Sequence, residues 1–184
     1  MPYSTAIKQG NLLQEEADFI VNASNTKLLL GSGVSMAFKR HCGVELQDEM
    51  NNALNSLGHD LKQGDVVATS SAKATNFKYS LHVAVMNYNQ GVKYNEKNPT
   101  IDTIEKALKN IENYLLWYAK NRSKDMKLVL PLMGCGVGGL NKMDVIKLYK
   151  NFFMRDIDIN CDVVIYGYGM EDYQQITKIL LPRY

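Results

Sequence analysis

An α/β architecture, with a largely parallel sheet covered by helices on both faces, is what this chain leads one to expect. Three observations support it. Strand-like apolar runs alternate with helical patterns along most of the 184 residues. Leu128 to Leu132 and Asp162 to Tyr166 read as buried strands, the kind found in covered parallel sheets. Two glycine-rich loops, Gly31-Ser32-Gly33-Val34 and Gly134 to Gly139, each follow an apolar run and open into a helical pattern.

In chain order, Tyr3 to Gln9 reads as a strand closed by Gly10-Asn11. Leu12-Leu13 and Phe19-Ile20-Val21 bracket an acidic turn, with Val21 expected as the last buried residue of its strand. Asn22 and Asn25 then stand at the carboxyl end, where open α/β sheets bind ligands. Their amides suit sugar hydroxyls, and equally suit Asx-turns or a helix cap. Val34 to Leu57 carries apolar residues at helical spacing, broken at Cys42-Gly43, so two helices ending at Gly58 are expected. Asp65 to Ser70 and Tyr79 to Met86 are strand-like, and Asn87 to Asn98 is loop. Asn98-Pro99 reads as an N-cap followed by proline at the first helical position. Ile101, Ile104, Leu108, Ile111, Leu115 and Tyr118 mark one face of a long helix, with Glu105 and Lys109 paired outside. Lys127 to Leu132 is a strand, Met143 to Phe153 a helix, Asp162 to Tyr166 a strand and Glu171 to Leu180 a closing helix.

The length fits one domain over residues 1–184. A formal charge of +2 and a pI near 8.3 give no broad footprint for nucleic acid. Cys42, Cys135 and Cys161 are odd in number and lack C-x-x-C spacing, which argues against a disulfide framework or a zinc knuckle and fits a reducing compartment. No histidine has a second ligand at metal spacing, so neither metal nor cofactor is expected. The amino terminus has no signal-like apolar stretch and no apolar run is long enough to span a bilayer; a cytoplasmic protein without membrane partners is the expectation.

Gly134, Gly136, Gly138 and Gly139, like Gly31 and Gly33, let a ligand lie against bare backbone, with N–H groups aimed at an anion beside a helix start. A diphosphate held from both sides is the natural guest. A tight strand-to-helix turn needs glycine without any ligand, so one such loop alone decides little. Gly134-x-Gly136-x-x-Gly139 formally matches the dinucleotide fingerprint, yet Asp162 precedes the next strand rather than ending it, and too few elements follow for a Rossmann sheet. No G-K-[ST] follows either loop, which excludes a P-loop NTPase.

Taken in order, the blocks Gly10-Asn11-Leu12, Ala17 to Asn25 (Ala-Asp-Phe-Ile-Val-Asn-Ala-Ser-Asn), Gly31-Ser32-Gly33-Val34, Gly64 to Thr69, Leu81 to Val85, Leu130 to Gly139, and Tyr168 with Asp172-Tyr173 resemble those of the macro domain, the ADP-ribose-binding fold. The resemblance spans nearly the whole chain and implies a three-layer α/β/α macro domain with a central mixed, largely parallel sheet. It implies that the two loops, Gly31, Ser32, Gly33 and Val34 with Gly134, Cys135, Gly136, Val137, Gly138 and Gly139, clasp the diphosphate. Asn25 would bind the distal ribose, with Asn22 and Leu12 beside the ligand, and Tyr168 would stack on adenine. The family usually has aspartate where this chain has Asn11, whose amide oxygen accepts the adenine amino group without charge assistance and so with weaker selectivity.

Resemblance also frames the choice between binder and enzyme. Family hydrolases remove ADP-ribose from acidic side chains or dephosphorylate ADP-ribose 1''-phosphate. One branch has an aspartate where this chain has Ser35; another has a lysine and an aspartate where this chain has no matching lysine near Ala84 and has Gly138. A neutral serine is no general base at pH 7. Hydrolysis would therefore need a water held by Asn25 and a ligand phosphate, with Asn25 and Ser35 as the candidate catalytic pair. Cys135 and His82 read as packed residues rather than a thiol–imidazole pair, and His41 with Lys39-Arg40 as a solvated helix end. The expected partner is ADP-ribose or an ADP-ribosylated protein. A non-catalytic module for ADP-ribose, poly(ADP-ribose) or RNA is the alternative, the RNA reading having only Lys73, Lys78, Lys93 and Lys97 in its favour.

Overall fold

The computed structural model describes residues 3–31 and 33–181, which places Ser32 outside the described residues. Along the chain run β1 (Ser4–Gln9), β2 (Ala17–Asn25), α1 (Val34–Cys42), α2 (Glu45–Leu57), β3 (Val66–Ser70), β4 (Phe77–Met86), α3 (Ile101–Asn121), β5 (Asp125–Pro131), α4 (Lys142–Phe153), β6 (Asn160–Gly167) and α5 (Met170–Leu180). Short 3-10 turns lie at Leu12–Gln14 and Tyr94–Glu96. The sheet order is β1-β6-β5-β2-β4-β3, parallel throughout except for the antiparallel β3–β4 pair.

Successive residues of a strand face opposite sides, so a sheet covered on both faces needs apolar residues at every position. Phe19 and Ile20 of β2, and Leu128 and Val129 of β5, are all buried and divide in this way. Ile20 and Val129 meet Leu13, Phe38, Leu46 and Met50 from the 3-10 turn, α1 and α2. Phe19 and Leu128 meet Leu108, Ile111, Val145, Tyr149 and Ile176 from α3, α4 and α5. The result is the mixed, three-layer α/β/α arrangement expected above.

Most element boundaries lie within one or two residues of the sequence reading, and two differences have a physical cause. The buried part of β2 continues past Val21 to Asn25, because Asn22 finds buried partners for its amide and so need not reach water. The third helix begins after Thr100, not at Pro99. The Thr100 hydroxyl accepts from the Thr103 N–H and the Thr103 hydroxyl accepts from the Thr100 N–H, a reciprocal cap that Asn98 does not make. Pro99 is buried instead against the loop after β5, where a Cβ at Gly138 would come within 2.9 Å of its Cγ. The Glu105–Lys109 pair is present at 3.4 Å.

The connection from β1 back to the start of β2 crosses the α1–α2 face, anchored by Glu15. Its carboxylate accepts from Lys8 (2.5 Å), Lys127 (3.0 Å) and the Tyr166 hydroxyl (3.0 Å), tying the connection to β1, β5 and β6. On the other face Tyr149 of α4 is fully buried, and its hydroxyl donates to Pro131 O at 2.7 Å while accepting from the Met133 N–H at 2.9 Å. One hydroxyl thus ends β5 and starts the glycine-rich loop. Replacing it (Tyr149→Phe) strands two buried backbone groups and is expected to lower stability by about 1–3 kcal/mol, read as a lower urea midpoint at unchanged slope; an unchanged midpoint would contradict this role.

Candidate functional site

The site is set by where two neighbouring strands send the chain. β2 and β5 pair at Phe19↔Leu128 and Ile20↔Val129, after which β2 runs on to Asn25 and β5 to Pro131. Beyond β2 the chain turns to α1 on one face of the sheet, and beyond β5 to α4 on the other. Such a switch point opens a crevice at the carboxyl ends of the strands. Residues 26–31 and 33 border it on one side and residues 132–141 on the other.

The β2–α1 loop is held from within. Asn25 Oδ1 accepts from the N–H groups of Lys27 (3.0 Å) and Leu29 (3.2 Å), and its Nδ2 donates to Leu29 O (3.0 Å). From α2, Gln47 reaches across to accept from the Leu30 N–H and donate to Leu28 O, both at 2.8 Å. Sequence reading had no signal for Gln47, which sits 17 residues from Leu30. Gly33 precedes α1 at φ 58°, ψ −130°, a conformation that favours glycine, and no side chain caps the helix start. Among the described residues, the N–H groups of Val34, Ser35 and Met36 have no hydrogen-bond partner, that of Ala37 already donating to Gly33 O, and the positive end of the helix dipole lies behind them. A Cβ on Gly31 or Gly33 would meet nothing within 4 Å.

The β5–α4 loop uses its glycines for two different purposes. Gly134 (φ 79°) and Gly138 are needed by the loop's own packing, since a Cβ would stand 2.7 Å from Leu140 Cδ1 in the first case and 2.7 Å from Gly134 O in the second. Gly139 (φ 72°) donates to Gly136 O, and Leu140 to Gly134 O. Of the loop's four glycines, only at Gly136 would a Cβ meet nothing within 4 Å, and Val137 beside it is 74% exposed. Among the described residues, the N–H groups of Gly136 and Val137 have no hydrogen-bond partner. α4 then begins behind Asn141, whose side chain accepts from the Asp144 N–H.

Beneath the first loop lies a buried polar chain. Ser35 of α1 donates to Asn22 Oδ1 (3.1 Å) and is also 3.3 Å from Ala23 O; Asn22 Nδ2 lies 2.9 Å from His82 Nδ1; His82 Nε2 lies 2.8 Å from Thr69 Oγ1; and Thr69 donates to Ser70 O (2.9 Å). The amide hydrogen of Asn22 and the committed hydroxyl hydrogen of Thr69 fix the direction throughout. His82 accepts at Nδ1 and carries its proton on Nε2. Full burial pushes its pKa from 6.5 down to about 3, so the ring is neutral. Ser35 is thereby turned into the fold, fastening the start of α1 to β2, β4 and β3. Thr69 was missed from the sequence, because it pairs with Ser80 and reaches His82 only diagonally across the β3–β4 ladder, a relation set by the strand register.

At the other end of the crevice, Asn11 and Tyr168 occupy adjoining loops after β1 and β6. Gly10 N–H donates to Gly167 O at 3.1 Å, Asn11 Oδ1 accepts from the Leu13 N–H at 3.0 Å, and Leu12 is buried. Tyr168 is 91% exposed, its ring offered to solvent. Between these loops and α4, Lys142 pairs with Asp172 at 2.5 Å, a hydrogen bond that holds the lysine above its usual pKa.

Other candidates separate from the crevice. Both nitrogens of His82 are occupied, and burial pushes the Cys135 thiol up to about 11, so the two form no reactive pair. His41 bonds Asn76 at 2.7 Å near the amino edge of the sheet. Two hollows also lie away from the carboxyl edge. One of about 360 Å³ borders Glu16, Asp18, Asn76 and Lys127; the other, about 370 Å³ and apolar, lies under α3 between Phe19, Tyr79, Tyr114 and Trp117. Among the described residues no group of three or more His, Cys, Asp or Glu could hold a metal, and no helix is long and apolar enough to cross a membrane.

A switch-point crevice flanked by two glycine-rich loops at the carboxyl edge of an α/β domain is an arrangement that can take an anion. The chain belongs to the Macro domain family, whose model matches residues 21–149. It is similar over 94% of its length, and over 88% of the other protein, to an uncharacterized protein of Sulfolobus acidocaldarius at 27% identity. A macro domain-containing protein of Listeria monocytogenes is 34% identical over 104 residues, 55% of this chain and 56% of that protein. Among solved structures, a variant of the Oceanobacillus iheyensis macrodomain with ADPR superposes at a TM-score of 0.77 and 22% identity, covering 96% of this chain and 91% of that one. The Trypanosoma brucei macrodomain in complex with ADP-ribose gives 0.72 and 20%, covering 95% and 68%.

The neutrality of His82 has a measurable consequence. The unfolded chain takes up the proton near pH 6.5 and the folded one only near 3, so this residue costs stability as pH falls between those values. Imidazole NMR should find His82 as the Nε2–H tautomer from about pH 8 to about pH 5; an ordinary titration near 6.5 would contradict the buried chain.

Proposed function

We propose that the protein binds ADP-ribose, free or attached to a protein, with the diphosphate between the two glycine-rich loops and the base against Tyr168. The observation that carries this reading is that, among the described residues, the N–H groups of Val34, Ser35 and Met36 on one side of the crevice and of Gly136 and Val137 on the other have no hydrogen-bond partner. An oxyanion bound in this way is held by fixed dipoles and needs no lysine or arginine. Gly31, Gly33, Gly134, Cys135, Gly138 and Gly139 shape the two banks, and Asn25 faces the distal ribose with its second amide hydrogen, the first being used on Leu29 O. The solved macrodomains with ADPR and with ADP-ribose support the same choice of ligand.

Binding without turnover is the version we favour. Neither residues 26–35 nor residues 132–141 contain a carboxylate, and the Ser35 hydroxyl is committed to Asn22, so neither glycine-rich loop supplies a group able to take a proton from water near pH 7. Hydrolysis of an ADP-ribosyl linkage or of ADP-ribose 1''-phosphate is the second reading, favoured by one feature. The free Asn25 hydrogen could hold a water beside a phosphate already oriented by the loop amides.

Calorimetric titration with ADP-ribose tests the proposal. Gly136→Val adds bulk where the fold leaves room, so stability should hold while binding weakens at least about tenfold. Tyr168→Ala should cost about 1–3 kcal/mol of binding through the lost stack. Wild-type affinity in both variants would refute the crevice as the site. The same proteins incubated with an ADP-ribosylated substrate should release no ADP-ribose; release by wild type and not by Asn25→Ala would establish the hydrolase instead.

A further inference from the structure

Along the carboxyl edge the loops follow the order of their strands, β1-β6-β5-β2-β4. Those carrying Asn11 and Tyr168 therefore lie on one side of the crevice, and residues 87–99, which follow β4, lie on the other. This last loop is fastened to both banks. The Tyr88 N–H donates to Thr26 Oγ1 at 2.8 Å, one residue past Asn25, and the Thr26 N–H donates to Met86 O at 2.9 Å. At the other end Pro99 lies against the second glycine-rich loop, its Cγ 3.2 Å from where a Cβ on Gly134 would stand and 2.9 Å from one on Gly138. The Asn87 N–H donates to Lys97 O at 2.9 Å, and Gln63 donates to Val85 O at 2.9 Å and to Lys97 O at 3.4 Å, so the base of the loop is closed. A loop whose ends are tied in this way holds its tip out as a surface.

On that surface Tyr94 is 89% and Tyr88 43% exposed, and Gln90 and Asn95 are exposed beside them. The charged side chains of the loop are Lys93, Glu96 and Lys97, with Lys97 Nζ 5.8 Å from the centre of the Tyr94 ring. Tyrosines with carboxamides are the mixture that protein-binding loops use: the rings give contact area at small entropic cost, and an amide matches both the donor and the acceptor of a peptide unit. A nucleic acid or a polymer of nucleotides would call for a cluster of cations along its phosphates. Two lysines and a glutamate do not make one.

We propose that this loop receives the polypeptide to which the nucleotide-sugar is attached; the proposal rests on the ADP-ribose reading above. With the base against Tyr168 and the diphosphate between the glycine-rich loops, the distal ribose lies at Asn25, and what is joined to it leaves the crevice beside Thr26 and Tyr88. The residues flanking the modified side chain lie across Tyr88 and Tyr94, with Gln90 and Asn95 bonding their peptide units. Free ADP-ribose makes none of these contacts, so the loop distinguishes a modified protein from the free nucleotide-sugar.

The test is a calorimetric titration of the full chain with free ADP-ribose and with a short peptide carrying one ADP-ribose through a linkage that water does not cleave, repeated on the double variant Tyr88→Ala/Tyr94→Ala. Both rings are on the surface and the Tyr88 bond to Thr26 uses the backbone, so the variant should fold. Wild type should bind the modified peptide roughly three- to tenfold more tightly than free ADP-ribose, and the variant should bind the two alike, with its affinity for free ADP-ribose unchanged. Equal binding of the two by wild type, or a preference that survives in the variant, overturns the proposal and leaves the ADP-ribose reading standing. So does a dimer of ADP-ribose that loses more than the peptide does in the variant, since the loop would then receive a second nucleotide. Binding of neither ligand by wild type removes that reading, and this proposal with it.

Discussion

Everything at the carboxyl edge depends on the parting of the chain after β2 and β5. The two strands lie side by side, yet each must cover a different face of the sheet, because Phe38 of α1 and Tyr149 of α4 belong to opposite cores. No single loop can close the gap between them. Among the described residues, the backbone on either bank keeps amides without a hydrogen-bond partner, and glycine at 33 and 136 keeps side chains from filling the space.

Around that gap the chain is held by polar groups satisfied inside the fold. Gln47 and Asn25 hold the first loop by its own backbone, and Tyr149 holds the origin of the second. The Ser35–Asn22–His82–Thr69 chain fastens the start of α1 to three strands without a single charge. Buried groups cost free energy unless they are paired, and a fully paired chain specifies one arrangement. Amides held in this way need little reordering when a ligand arrives, which favours binding.

Much of this was legible in the sequence, and the exceptions share a physical cause. Alternating apolar runs marked every strand and helix, and the helix break at Cys42-Gly43 and the Glu105–Lys109 pair follow from local spacing alone. The start of α3 was misplaced because Thr100 and Thr103 cap each other while Pro99 serves a distant loop. Gly134 and Gly138 read as ligand-facing, but their reason for being glycine is Leu140, Pro99 and the loop's own carbonyl. The partners of His82 and the reach of Gln47 depend on strand register and helix placement, which no window of neighbouring residues contains.

The central claim is that the unused amides on the two banks are where the ligand sits. Backbone amide NMR of the protein titrated with ADP-ribose addresses it directly. The account predicts that the largest shifts fall on Gly31, Gly33, Val34, Gly136 and Val137. Shifts concentrated instead on Phe19, Tyr79 and Trp117 under α3, or on Asp18 and Asn76 at the amino edge, would contradict it.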